Sequence, residues 1–200
     1  MEKSDLERDR EGWEIVASET HFSSPHLSVA TERVRTPANP EPHPWSVVHR
    51  KPAVVIAPLT REGRFVLIRE ERIPVRAEIW SFPAGQIDDA PERDDAVIRE
   101  VAGRELREET GYELARGAEL VSLGHYFTSP GFTDELAYLF LARPVEKSAG
   151  GSQHDANEGI LDCREFSRDV VRAMIAEGQI RDANTLSIWA RLVAGGEIFP

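Results

Sequence analysis

Arg104-Glu105-Leu106-Arg107-Glu108-Glu109-Thr110-Gly111-Tyr112 sets three carboxylates within five residues and closes them with a glycine. In an α-helix each residue advances about 100°, so Glu105, Glu108 and Glu109 share an arc of roughly 100° on neighbouring turns of one face. Like charges at that spacing oppose the helix by roughly a few tenths of a kcal/mol per pair, which a cation offsets. Hard divalent ions take oxygen ligands, commonly a few carboxylates together with substrate phosphates, and so a divalent metal is the natural candidate. The same string also reads as a solvated helix face, with Arg104 and Glu108 as an i,i+4 pair and Gly111 as an ordinary C-terminal cap.

Upstream lies Pro83-Ala84-Gly85-Gln86-Ile87-Asp88-Asp89. Taken in order, the two stretches resemble the two halves of the Nudix signature, whose second half runs R-E-U-x-E-E-x-G-U with U apolar or aromatic. That resemblance implies an α/β fold, an α/β/α sandwich around a mixed β-sheet. It also implies hydrolysis of a pyrophosphate bond, with Glu105, Glu108, Glu109 and the backbone carbonyl of Ala84 as metal ligands. Mg²⁺ is the expected cofactor and Mn²⁺ its substitute. A bound divalent ion neutralises phosphoryl oxygens and lowers the pKa of a coordinated water, which the pyrophosphate bond requires.

The resemblance narrows over other segments. Val66-Leu67-Ile68-Arg69-Glu70-Glu71-Arg72-Ile73-Pro74 is similar to the part of ADP-ribose pyrophosphatases where an arginine shortly before a proline meets the substrate phosphates, which implicates Arg72. Guanidinium forks match phosphate oxygens. Arg69 and Arg76 could extend this cationic edge or pair with Glu70, Glu71 and Glu78. Ser129-Pro130-Gly131-Phe132-Thr133-Asp134-Glu135 resembles the proline loop of those enzymes, which implicates Pro130, and Ala176 to Thr185 resembles the lead-in to their last helix. Trp13 and Trp45 stand where related enzymes clasp adenine between two subunits, so a homodimer is expected; alternatively each tryptophan anchors the N-terminal sheet. Asp155-Ala156-Asn157-Glu158-Gly159-Ile160 resembles the late loop that carries the general base, making Glu158 that candidate beside Glu109.

The expected substrate is a small nucleoside diphosphate, foremost ADP-ribose, cleaved to AMP and ribose 5-phosphate. One rival is another nucleoside diphosphate sugar or a dinucleotide; another is a Nudix module that binds a nucleotide without cleaving it. Two departures from the pattern bear on this. The first half of the signature is stretched: Pro91 stands where a glutamate belongs, followed by Glu92, and Arg104 comes about five residues late, leaving Glu92 or Glu100 to support Arg104. Ser81 stands where related ADP-ribose enzymes have glutamate, two residues before the proline of Pro-Ala-Gly.

Composition bounds the rest. Two hundred residues, 40% hydrophobic and 30% charged, suit one ordinary domain with a small appendage. A net charge of −11 disfavours nucleic acid and anionic membrane as partners, both being polyanions. One cysteine, Cys163, excludes an intrachain disulfide; with no apolar run of membrane-spanning length and no apolar leader, a cytoplasmic protein is expected.

Residues 1–50 read as an N-terminal antiparallel β extension for dimerisation, with strands over 13–20 and 27–35 joined by a turn at 23–26 and followed by an extended proline linker over 36–44. Residues 51–200 read as the catalytic domain. Its expected strands are 53–57, 64–69, 79–82, 119–126 and 136–142, its acidic helix runs from about 93 to 110, and closing helices cover 169–177 and 184–193. The stretch 146–158 reads as an exposed loop. The six histidines read as structural or surface residues.

Overall fold

The computed structural model describes residues 11–88, 94–152 and 159–198. They pack as two units, one of residues 1–51 with 129–135 and one of 52–128 with 136–200.

The first unit is a three-stranded antiparallel sheet, β1 (Glu14–Ser23), β2 (Leu27–Thr36) and β3 (Asn39–Arg50), in the order β1-β2-β3. Ser24 closes the first turn through its backbone N–H, which donates to the Leu27 carbonyl at 2.9 Å. The expected linker over 36–44 is mostly strand. Proline removes a ladder donor, which bars it from a central strand, but β3 lies at the edge of this sheet. Pro40, Pro42 and Pro44 are two residues apart, so their missing N–H groups all fall on one side of the strand. The 129–135 segment clasps the end of β3. The Asp134 carboxylate accepts from the Arg50 backbone N–H at 3.0 Å and lies 2.8 Å from His49 Nδ1, while His49 Nε2 sits 3.3 Å from buried Glu32. Asp134, with burial opposing and Glu32 assisting, holds the His49 pKa above 6.5.

The second unit holds β4 (Ala53–Thr60), β5 (Arg64–Arg72), a 3₁₀ turn (Ile73–Val75), β6 (Ala77–Ser81), β7 (Ala84–Gln86), α1 (Asp95–Thr110), β8 (Tyr112–Phe127), β9 (Leu136–Lys147), β10 (Ile160–Ser167), α2 (Arg168–Ala176) and α3 (Ala183–Ala194). These seven strands form one sheet, β10-β5-β4-β9-β8, with β6 paired to β5 and β7 to β4. The β4–β9 pair is parallel and the others antiparallel, so the sheet is mixed.

Central β4 reads Ala-Val-Val-Ile-Ala and is buried on both faces, as a continuous apolar run requires. Its alternation divides the core. Val54 and Ile56 pack with Ile98, Ala102 and Leu106 of α1. Val55 and Ala57 pack on the opposite face with Val171 and Met174 of α2 and Ile188 and Leu192 of α3. Helices cover both faces, giving the expected α/β/α sandwich.

Beyond the expected strands, β8 starts seven residues before 119, at Tyr112, with register breaks over Leu114–Glu119 and Ser122–His125 that hid its length from a search for clean alternation. Short β7 and the edge strand β10 were also not evident in the sequence. No helix among the described residues is long and apolar enough to cross a membrane.

Candidate active site

The acidic string forms the last turns of α1. Asp94 caps its start, its side chain accepting from the Ala96 N–H at 2.9 Å, and Gly111 ends it in the left-handed conformation at φ 72°. The buried face carries Ile98, Ala102, Leu106 and Glu109. That periodicity carries Glu109 inward with the apolar residues, leaving it 8% exposed.

Pro83-Ala84-Gly85 meets this helix end as a strand rather than a free loop. It pairs with β4, Val55 opposite Ala84 and Val54 opposite Gly85, and the Pro83 carbonyl accepts from the Ile56 N–H at 2.9 Å. The Ala84 N–H donates to Glu109 Oε2 at 2.9 Å. A Cβ on Gly85 would fall inside the Glu105 carboxyl group. Gly85 therefore serves to let a carboxylate lie on bare backbone, a role its place in the sequence did not disclose.

Arg104 bonds Glu105 at 2.8 Å and Glu108 at 3.0 Å. Exposed Glu100 makes no recorded ion pair with it, and Glu92 lies outside the described residues. Among the described residues no three His, Cys, Asp or Glu side chains converge as a ready metal-binding group. The residues nevertheless fit a hard divalent ion. Glu105 lies on Gly85, the Ala84 N–H holds Glu109, and Glu108 shares Arg104 with Glu105, so the three offer oxygen donors only. An arginine side chain 42% exposed makes pairs worth only about 0 to 1 kcal/mol each, so a doubly charged cation competes with it readily.

Next to Pro-Ala-Gly, Phe82 is anchored by α3: its N–H donates to Thr185 Oγ1 at 2.9 Å, and the Thr185 N–H donates to the α3 cap, Asp182 Oδ2, at 2.8 Å. Burial holds the Asp182 carboxyl above its usual range, against the Thr185 bonds and the Arg72 charge. Arg72 lies 2.7 Å from Glu70 Oε1, and the Ser81 hydroxyl donates to that same oxygen at 2.7 Å. Burial also raises the Glu70 pKa, opposed by Arg72 and Ser81. Arg69 pairs with Glu78 at 3.4 Å and lies over Trp80, while Arg76 ends the 3₁₀ turn at φ 52°. Glu70 entered the sequence reading only as a possible ion-pair partner of the neighbouring arginines; within the charged run Arg69-Glu70-Glu71-Arg72 nothing marked it as the buried member.

Glu158 lies outside the described residues; its neighbour Gly159 is fixed on β5, its carbonyl accepting from the Glu71 N–H at 2.9 Å. In the first unit Trp13 and Trp45 are 55% and 57% exposed, so neither serves as a buried anchor of its sheet. Pro130 lies in the 129–135 segment, where the Ser129 carbonyl accepts from the Phe132 and Thr133 N–H groups, both at 3.2 Å.

The sequence profile of the NUDIX domain matches residues 49–187. The chain belongs to the Nudix family. Among curated relatives, a methanol dehydrogenase activator of Bacillus methanolicus is 30% identical, covering 86% of this chain and 87% of its own length. An ADP-ribose pyrophosphatase of Bacillus subtilis is 27% identical over 85% and 86%, and a GDP-mannose pyrophosphatase of Citrobacter koseri 32% identical over 72% and 74%. A solved ADP compounds hydrolase, 19% identical, superposes with a TM-score of 0.72 over 93% of this chain and 97% of that one, sharing the Nudix fold. The expected membership among ADP-ribose pyrophosphatase-like Nudix hydrolases is met.

Proposed function

We propose that this Nudix hydrolase cleaves the pyrophosphate bond of a nucleoside diphosphate in a divalent-metal-dependent reaction, with ADP-ribose as first substrate and AMP and ribose 5-phosphate as products. The observation that carries the reading is the junction of α1 with β7, where Gly85 makes room for the Glu105 carboxyl and the Ala84 N–H holds Glu109. Pure binding of a nucleotide needs no such carboxylates, which would repel its phosphates.

Glu105, Glu108, Glu109 and the Ala84 carbonyl would hold Mg²⁺ or Mn²⁺. The ion supplies charge neutralisation and a more acidic water when bound. The chain's own groups do the rest. The Ala84 N–H fixes Glu109 through its Oε2. By resemblance, Arg72 would take phosphate oxygens and Glu158 would receive the proton of the attacking water. The water oxygen ends on one phosphorus while the bridging oxygen leaves with the other phosphate. In a homodimer, exposed Trp13 and Trp45 would offer indole faces for a base, worth about 1 to 3 kcal/mol per stack.

Ser81 favours a second reading, in which a different nucleoside diphosphate sugar is preferred, and the GDP-mannose pyrophosphatase among the relatives supports it. Turnover of ADP-ribose, GDP-mannose and NADH with each metal tests both. Preference for ADP-ribose is expected. Equal or better turnover of GDP-mannose overturns the first substrate, and no hydrolysis of any with either metal overturns the reaction.

A further inference from the structure

The loss of glutamate at position 81 has a counterpart in the structure. Ser81 lies opposite Ile68, and Glu70 opposite Ile79, in the β5–β6 pair. Residues 70 and 81 are therefore diagonal neighbours on one face of the sheet, within reach of each other's side chains. The Glu70 carboxylate spans that diagonal: Ser81 donates to Oε1 at 2.7 Å, and Arg72 reaches the same oxygen at 2.7 Å. Glu70 is 5% exposed and Ser81 is buried, whereas the Arg72 side chain is 42% exposed. The carboxylate is thus the fixed partner and the arginine the one that reaches outward.

We propose that Glu70, held by the Ser81 hydroxyl, is a positioning residue that orients Arg72 toward the substrate phosphates. The assignment rests on the phosphate-binding role given above to Arg72. Ser81 touches the same Glu70 oxygen as Arg72, which makes position 81 the place from which to test a replacement carboxylate. With Ser81 bonded to it and the sheet around it, Glu70 limits the rotamers of a four-torsion side chain, and an arginine ordered in advance gives up less freedom when phosphate binds. Asp182, whose Oδ1 has no hydrogen-bond partner among the described residues, adds a second buried carboxylate whose charge acts on Arg72 and Glu70. Asp182 is itself held as the α3 cap, accepting from the Thr185 N–H at 2.8 Å.

The test is a double-mutant cycle with Glu70→Gln and Arg72→Ala, read by calorimetric binding of ADP and, separately, by KM and kcat for whichever panel substrate turns over. Glu70→Gln should weaken ADP binding by about tenfold, the worth of one charge-assisted hydrogen bond. It should also raise KM more than it lowers kcat, and have no further effect once Arg72 is alanine. The exchange variant Glu70→Ser with Ser81→Glu should recover most of the binding. Additive effects in the cycle, a fall in kcat at constant KM, or absence of ADP binding to the wild-type protein would overturn the proposal. Wild-type protein that binds ADP and shows the coupling but cleaves nothing would retain the assignment of Glu70 and reject the hydrolase reading instead.

Discussion

Gly85→Ala separates the site from the fold. Gly85 does not have a positive φ, so alanine is compatible with its backbone. What a methyl group meets there is the Glu105 carboxyl, the far end of a flexible side chain. Ordinary contact begins at 3.4 Å, so the carboxyl must retreat by roughly 1 Å or more, and a misplacement of about that size at a reacting centre costs about 100-fold in rate. That corresponds to about 2.7 kcal/mol of transition-state stabilisation. Arg104 already bonds Glu105, so the displaced carboxyl keeps a charged partner and stability should fall by less than activity does. The assay is kcat/KM on the best panel substrate with saturating Mg²⁺, beside a melting curve. A second variant adds Glu105→Asp, which withdraws the carboxyl by one methylene, and should recover part of the lost rate in the alanine background while lowering rate in the wild type. Full activity in Gly85→Ala would refute the claim that Glu105 works from the surface of that glycine. Equal loss of stability and activity would show that the glycine serves folding instead.

Glu109→Gln keeps an acceptor for the Ala84 N–H and removes the charge, so metal-dependent hydrolysis should fall by at least about 100-fold with the melting temperature nearly unchanged; unchanged hydrolysis would remove Glu109 from the site. Gly103→Ala on α1 meets open space and should stabilise by about 0.5 to 1 kcal/mol, a rise of about 1 to 4 °C in Tm, and a fall would mean that the site of substitution is constrained by something other than helix propensity. His49 should titrate above 6.5 by NMR. Because its folded pKa is raised, its contribution is complete below the unfolded pKa and lost as pH rises through the folded one, so the loss in stability caused by His49→Gln should be larger at acid than at alkaline pH. Equal losses at both would remove the charge of His49 from the account.

The sandwich was expected from the Nudix resemblance, whereas the individual helices and the central strand were legible because their determinants are local. The apolar run of β4, the cap at Asp94, the 98–102–106 spacing of α1 and the glycine at 111 each specify a short stretch, and the helices stand within two residues of their expected bounds. The acidic residues were legible for the same reason. What sequence did not disclose depends on partners distant in the chain. β3 was concealed by prolines, which an edge position tolerates. β8 was cut short because its bulges break the period of two. The purpose of Gly85 exists only once Glu105, twenty positions on, lies over it. Glu70 becomes intelligible only beside Ser81 and Arg72, since a buried carboxylate has no meaning without its neighbours. His49, read as an ordinary histidine, owes its environment to Asp134, whose hydrogen bond spans 85 positions of sequence.

The bond from Phe82 to Thr185 joins residues 103 positions apart, immediately before the Pro-Ala-Gly strand. During synthesis at about 5 to 20 residues per second, the acidic helix is complete seconds before α3 leaves the ribosome. Throughout that interval the Phe82 N–H, buried in the finished protein, lacks its acceptor. The strand that meets Glu105 and Glu109 therefore gains this anchor only after α3 is made, and a chain interrupted before Thr185 would carry both glutamates without it.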